Sequence, residues 1–399
     1  MKYRVIFIAL LSSTILCSQI QLKRPILVED LTIKYDTGFI KEADSISIGG
    51  NLFDENIVQS RLDSLNEFTP IDISYNKTIG KYIRFYLFQR RDQVSKLLSL
   101  SEYYFPIFER YLDQYSLPLE LKYLPIIESA LNPNAKSPAG ATGIWQFMYF
   151  TAKEHELRIN SYLDERKDIY KATNAACNYF LKSYSVFENW GLAIASYNAG
   201  RRNVTKAIRR SGGKLNYWEI RPFLPQETRN YIPSFIAALY VMNFANEYGI
   251  SASKNITFKT YQADTVHLKQ PIKIKHLAKI LEIDPQVLED LNPAYRLKLI
   301  PELESEKFPI LLPDYKWGLF LANEDSIYLE LNKMIQQENL EFPLFTDIEK
   351  IVYKVKRGDY LGRIARKHKC RVSDIMLWND LKTTKIREGN KLYIYQTIK

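Results

Sequence analysis

The sequence predicts a mainly α protein, a helical domain followed by two small βααβ modules of α+β character. Three observations predict it. Residues 71–250 carry apolar side chains at helical spacing, with long stretches at 170–187 and 226–247. After residue 255 the texture changes to short strand-like runs separated by helical ones. Residues 260–313 run from a short strand-like start through "IKHLAKILEIDPQVLEDLNPAYR" to strand-like "FPILLP". Residues 351–395 repeat that order as "VYKVKRGD", "LGRIARKHK", "SDIMLWNDL" and "KLYIY", with "LEDLNP" aligned on "IMLWND".

Residues 1–18 read as a secretory signal peptide: Lys2 and Arg4 are a positive start, and the apolar run 5–16 is too short to span a bilayer. Cys17 raises the question of a lipid anchor, but bulky Leu16 favours simple cleavage near Cys17 or Ser18. The expectation is an exported protein of the periplasm or cell envelope. Residues 19–70 lack strong periodicity and are expected to be extended, within a partly helical lead-in at 19–99. Tyr82, Phe85, Tyr86 and Gln89 begin one amphipathic stretch, and Tyr103, Ile107, Tyr111 and Leu112 mark another. Pro118 suits the first turn of a helix running through Glu120, Leu121, Leu124 and Ile127. Gly212-Gly213 should end a helix whose last turns carry Lys206, Arg209 and Arg210. The domain reading is a main helical domain at 100–250, a first module at 256–315, a helix and linker at 316–348 and a second module at 350–397.

Composition narrows the partners. With 46% hydrophobic and 25% charged residues the chain is ordinary for a soluble globular protein. The net charge of +10 suits nucleic acid, an anionic membrane surface or an acidic polymer. Nucleic acid is the weaker choice, because there is no long Lys/Arg run, zinc finger or RNP motif. The 28 Tyr suit a carbohydrate binder, although plain compositional bias explains them equally well. The 4 His form no ligand pair and there is no Gly-rich phosphate loop, so neither a metal nor a cofactor is expected. Cys177 and Cys370 lie in different expected domains and read as small core residues, not as a disulfide.

The chemistry centres on "LELKYLPIIESALNPNAKSPAGATGIWQFM". Leu121, Leu124, Pro125 and Glu128 share one helical stripe, which puts Glu128 on an apolar face. Burial there would raise its pKa and make it a general acid. The bland alternative is a glutamate at a helix end that turns out to solvent. "SPAGATG" is a loop of small residues that lets the chain pass close to another surface, and it leads into Ile144, Trp145, Gln146, Phe147 and Met148. Tyr197-Asn198-Ala199-Gly200 ends a short helix, and Tyr231 starts an apolar one.

Together, Glu128-Ser129, Gly143-Ile144-Trp145-Gln146, Tyr197-Asn198-Ala199-Gly200 and Tyr231 resemble the soluble lytic transglycosylase catalytic domain, a goose-lysozyme-like fold, over about residues 100–250. "YLDERKD" at 162–168 and "LPQETRNYIP" at 224–233 resemble the membrane-bound lytic transglycosylase D branch. Ile144-Trp145 and Ser196 depart from the family's frequent Leu-Met and Ala. The resemblance implies non-hydrolytic cleavage of the β-1,4 bond between N-acetylmuramic acid and N-acetylglucosamine in peptidoglycan, with a 1,6-anhydro end and Glu128 as single acid/base. It further implies that Ser129 orients Glu128 or the muramic lactyl group. Gln146, Met148 and Asn198 would line the sugar subsites, and Tyr197 and Tyr231 would position or bond to Glu128 and the substrate. The alternatives are a hydrolytic muramidase and a catalytically dead wall-binding protein. Asp164, Glu165 and Asp168 are candidate second carboxylates, but "DERKD" reads better as a charge-paired turn.

The C-terminal repeat resembles LysM, an N-acetylglucosamine-polymer binding module. Gly358-Asp359 would form the tight turn, with Asp359 capping the first helix, while Asn379 and Gly389 match the usual Asn and Gly. The resemblance puts glycan at Gly358, Asp359, Tyr360, Leu381 and Lys382. The copy at 260–313 lacks the Gly-Asp turn and is expected only to pack against the enzyme. The implied partner is the peptidoglycan glycan strand, whose carboxylates suit a basic chain. Peripheral membrane or wall association and a monomeric state are expected with it.

Overall fold

The computed structural model describes residues 53–160, 162–253, 263–301, 308–340, 342, 348–368, 370–379, 381 and 383–397. The expected signal segment, residues 19–52 of the lead-in and Lys382 lie outside the described residues.

Helix α1 (Glu55–Asn66) starts where an extended segment was expected. Asp54 caps it, accepting from the N–H groups of Asn56 and Ile57 at 2.8 and 3.4 Å. Its buried residues are Val58 and Leu62 alone, a stripe too thin to show as periodicity in the sequence. Helix α2 (Lys77–Arg84) is capped by Asn76 and runs into a π-helical turn, Phe85–Gln89. Helix α3 (Arg91–Gln114) is continuous through residue 100, so the boundary expected there falls inside a helix. Val58, Tyr82 and Leu100 share one core with Trp145, Phe180 and Phe235. The described part of the lead-in is therefore a wall of the helical domain.

Pro118 does not enter an α-helix. It precedes a 3₁₀ turn, Leu119–Tyr123, which hands over to helix α4 (Leu124–Ser129). Pro125 has no N–H to give to the carbonyl of residue 121, so the single helix expected across 120–127 is broken there. Helices α5 (Tyr149–Glu154), α6 (Ile169–Phe187), α7 (Trp190–Ala199), α8 (Arg201–Arg210) and α9 (Tyr217–Ile220) come next along the chain. Helix α10 (Gln226–Phe244) is buried on every face from Asn230 to Val241 and packs against α2, α4 and α7. It is the central helix, and it carries Tyr231.

The first module holds β1 (Ala263–His267), β2 (Ile272–Lys273), α11 (Ile274–Ile280), α12 (Pro285–Leu291), β3 (Leu299–Ile300) and β4 (Pro309–Pro313). β1 pairs antiparallel with β4, and β2 with β3. The expected helix and linker after it are two helices, α13 (Asp314–Ala322) and α14 (Glu324–Gln337). Phe320, Ile327, Tyr328 and Leu331 bury themselves in the module's core, so this segment belongs to it. The second module is β5 (Ile348–Lys354), α15 (Leu361–Lys367), α16 (Val372–Trp378) and β6 (Lys391–Thr397), with β5 and β6 antiparallel.

One asparagine locks each module in the same way. Asn292 Nδ2 donates to Leu288 O and Leu311 O at 2.8 and 2.9 Å, and its Oδ1 accepts from Leu311 N at 2.8 Å. Asn379 Nδ2 donates to Ile375 O and Tyr393 O, both at 2.8 Å, and accepts from Tyr393 N at 2.6 Å. An amide that ties the second helix to the last strand satisfies backbone groups that would otherwise be stranded. Cys177 is buried in α6 and Cys370 packs on the second module's core, both as free thiols. No helix among the described residues is long and apolar enough to cross a membrane.

Candidate active site

Glu128 stands in the last turn of α4, held there by the way that helix ends. Ala130 and Leu131 both adopt left-handed backbone, φ 50° and 62°. Their N–H groups return to Ile126 O and Pro125 O at 2.9 and 3.2 Å, closing the helix end without a glycine. Left-handed backbone costs a non-glycine residue about 1 kcal/mol, and burial of the Leu131 side chain offsets it. The Tyr231 hydroxyl, from the central helix, donates to Glu128 Oε1 at 2.5 Å. Burial pushes the Glu128 carboxyl up to about 7; the Tyr231 bond pulls it down, and the negative charge of Glu227 pushes it up further. Near neutral pH the group is thus divided between acid and base forms.

Ser129, beside it, is 2% exposed and has no surface to offer a sugar. Its hydroxyl lies 2.7 Å from Ile144 O and 3.0 Å from Pro125 O. Ser129 thereby ties the end of α4 to the loop that carries Trp145 and Gln146.

That loop is clamped from three sides. Gly143 has φ +88°, and a Cβ there would lie 1.7 Å from the Arg166 carbonyl oxygen, so only glycine fits. Trp145 is fully buried and its Nε1 donates to Thr173 Oγ1 at 2.9 Å. Arg166 meets Asp164 bidentately, Nε and Nη2 each 2.8 Å from a carboxylate oxygen, while its Nη1 donates to Gly140 O and Phe147 O at 3.1 and 3.3 Å. Gln146 takes φ +51° and turns its Nε2 back to Gly143 O and Ala135 O at 2.8 and 3.2 Å. Its side-chain nitrogen therefore braces the loop. Met148, at the loop's exit, is 46% exposed.

Tyr197 does not reach Glu128 by a hydrogen bond. Its hydroxyl donates to Trp145 O at 2.7 Å and its ring stacks on Phe180, so it supports the loop from behind. Burial raises its pKa well above the ordinary value, and the Glu128 charge adds to that. Asn198 Oδ1 accepts from Thr228 Oγ1 at 2.7 Å, which joins the end of α7 to the start of α10. Thr228, Arg166 and Glu227 were not singled out from the sequence. Thr228 and Glu227 leave no signal in their spacing, because each acts on a residue distant in the chain, and the reach of Arg166 to Gly140 O and Phe147 O leaves none either.

The acidic turn at 162–168 is a structural unit. Asp164 is held by Arg166, and Glu165 accepts from Arg158 N at 2.6 Å and Nε at 2.9 Å. Asp168 caps α6 through Lys171 N, and burial raises it to about 6. A carboxylate whose charge does reach Glu128 is exposed Glu227, in the first turn of α10.

In the second module Gly358 makes the expected turn with φ +83°. Asp359 does not cap the helix, which is a correction: Tyr360 occupies that position without a side-chain bond. Asp359 Oδ2 instead accepts from Lys356 N at 2.8 Å and the Tyr353 hydroxyl at 2.7 Å, which together hold its carboxyl below the usual range. Gly389 N donates to Val355 O at 2.9 Å, drawing the second loop onto the first. Tyr360 is 53% exposed beside them, steadied by Arg366 Nη2 at 2.7 Å from its hydroxyl. Leu381 is half-buried against the core.

Residues 105–219 match the Transglycosylase SLT domain. Residues 262–329 match the LysM-like domain of lytic transglycosylase MltD, and 353–394 match the LysM domain. A helical SLT domain whose half-buried glutamate meets a tyrosine, with LysM-type modules after it, defines the class. The domain set is that of the lytic transglycosylase D type. The chain is 28% identical to the membrane-bound lytic murein transglycosylase D of Escherichia coli, over 70% of this chain and 60% of that protein. It thus spans about three fifths of the length of that relative. It is 34% identical to a soluble lytic murein transglycosylase of Salmonella typhimurium, over 28% of this chain and 18% of the relative. The solved 70 kDa soluble lytic transglycosylase of Escherichia coli matches with 20% identity and a TM-score of 0.32, over 53% of this chain and 40% of that one. Glu227 and Tyr231 lie beyond the residues matched to the SLT domain.

Proposed function

We propose that this chain is an exported peptidoglycan lytic transglycosylase acting at the cell envelope. Glu128 donates its proton to the glycosidic oxygen between N-acetylmuramic acid and N-acetylglucosamine as the C1–O bond breaks. The resulting carboxylate takes the proton of the muramic C6 hydroxyl, whose oxygen attacks C1 and closes the 1,6-anhydro ring. That hydroxyl is already tethered to the reacting sugar, so its attack avoids much of the entropy cost that a water incurs. Tyr231 holds Glu128 Oε1 throughout. Met148 and Asn198 are the nearest candidates to touch sugar, while Ser129, Gln146 and Tyr197 hold the loop that shapes the cleft. In the second module Gly358, Tyr360 and Leu381 are the proposed glycan contacts.

One observation carries the reading: Glu128, in the last turn of α4, meets the Tyr231 hydroxyl of the central helix at 2.5 Å, in a setting whose burial raises its carboxyl. That suits a group that must give and retake a proton. Glu227 supports a second reading, a hydrolase in which that carboxylate activates water. Incubation with sacculi and mass analysis of the released ends separates them. Anhydro ends, lighter by one water, are expected; reducing ends mean hydrolysis, and no release under any condition means a wall-binding protein.

A further inference from the structure

The two modules keep the same asparagine lock, so their registers can be compared directly. With Asn292 set on Asn379, Ala294 takes the place of Leu381 and Tyr295 that of Lys382. Leu381 and Lys382 are the second-loop positions expected to meet glycan in the second module. In the first module their counterparts are already occupied. Ala294 O accepts from Asp164 N at 2.9 Å, and Tyr295 forms an antiparallel bridge with Leu163. Arg296 N donates to Tyr162 O at 2.9 Å, and Arg296 Nη1 to Asn160 O at 3.1 Å. Leu163, from the helical domain, is 3% exposed and sits in the module's own apolar core.

The geometry points to an internal ligand: the first module grips a segment of the helical domain, Asn160 and residues 162–164, at the edge where its sister would take a glycan, and serves as a brace for the catalytic loop. The connection to the cleft is direct. Asp164, whose N–H the module holds, grips Arg166 bidentately, and Arg166 holds Gly140 O and Phe147 O at the two ends of the loop bearing Trp145 and Gln146. Gly143 rests on the Arg166 carbonyl. Loss of the module's grip would let the clamp move and would loosen the loop to which Ser129 ties Glu128. Leu163 and Arg296 are thus positioning residues that act through Asp164 and Arg166.

The turnover arm rests on the proposed transglycosylase reading; the exchange arm does not. Full-length wild type, Leu163→Ala, Leu163→Met and Arg296→Ala would be compared by amide hydrogen exchange over 160–166 and 294–296. Turnover of short soluble glycans and retention on sacculi would be measured alongside. Expected are faster exchange in both segments for Leu163→Ala and Arg296→Ala, and kcat lowered about tenfold for Leu163→Ala with KM unchanged. Sacculus retention should stay at the wild-type level, and Leu163→Met should recover most of kcat. Weakened retention with unchanged kcat would overturn the proposal, since the edge would then be a glycan site. Unchanged exchange in both segments would overturn it as well. A wild type without turnover but with the expected exchange pattern would sink the enzymatic reading and leave the brace standing.

Discussion

Two acidic segments of the helical domain face opposite fates. Asp164 and Glu165 are both buried, and each is bound to an arginine. Glu128 is partly exposed and meets a tyrosine hydroxyl, with another carboxylate nearby. A bidentate arginine partner fixes a carboxylate in one geometry. A phenol leaves the proton free to come and go. Burial lifts the Glu128 carboxyl to about 7, and what distinguishes the proposed acid from the structural pair is that its partner is a phenol and not an arginine.

The strongest break of this contrast is Glu128→Gln. The amide cannot donate, so release from sacculi should fall about a thousandfold or more, measured as soluble muropeptides over time. Asp164→Asn tests the other side. It leaves the Arg166 guanidinium buried without its carboxylate, which should cost about 3 kcal/mol or more in a denaturant melt.

Glu128→Gln should also change stability, in a pH-dependent way. The folded carboxyl, at about 7, lies above its ordinary 4.5. The wild type therefore loses stability as pH rises from 4.5 through 7, because its site resists the charge. The amide is neutral at every pH. The variant should match the wild type below about pH 4.5 and exceed it by at most about 3 kcal/mol at about pH 8. Equal melts of the two proteins on the alkaline side would show that Glu128 ionises without penalty.

Tyr231→Phe should lower turnover about tenfold to a hundredfold, the worth of one hydrogen bond to a charged group. Because that bond favours the carboxylate, its loss should move the alkaline limb of the pH–rate profile upward. Glu227→Gln is the mildest case. Removing a negative neighbour should shift the same limb slightly downward and leave the rate near wild type. A collapse of activity would make Glu227 the base of a hydrolase.

Part of this contrast was legible in the sequence. The "DERKD" alternation announced the Asp164–Arg166 pair, while the stripe of Leu121, Leu124 and Pro125 was drawn on one continuous helix that the structure breaks ahead of Pro125. Helix α1 was not legible, because only Val58 and Leu62 are buried in it. Helices α13 and α14 were read as a helix and linker because their apolar residues pack on a partner distant in the chain. Ser129, Gln146 and Tyr197 stood out as site residues, yet each spends hydrogen-bonding capacity on the backbone that builds the loop.

The sequence by itself determined the helical domain and the repeated module, since periodicity and local turn chemistry are written in neighbouring residues. Only the tertiary structure decided which partner each polar group meets. Tyr231 is 103 residues from Glu128, and Asn160 is 136 from Arg296. A hydrogen bond across such distances leaves no period in the chain. It exists because packing of the central helix and of the first module brings the groups within reach.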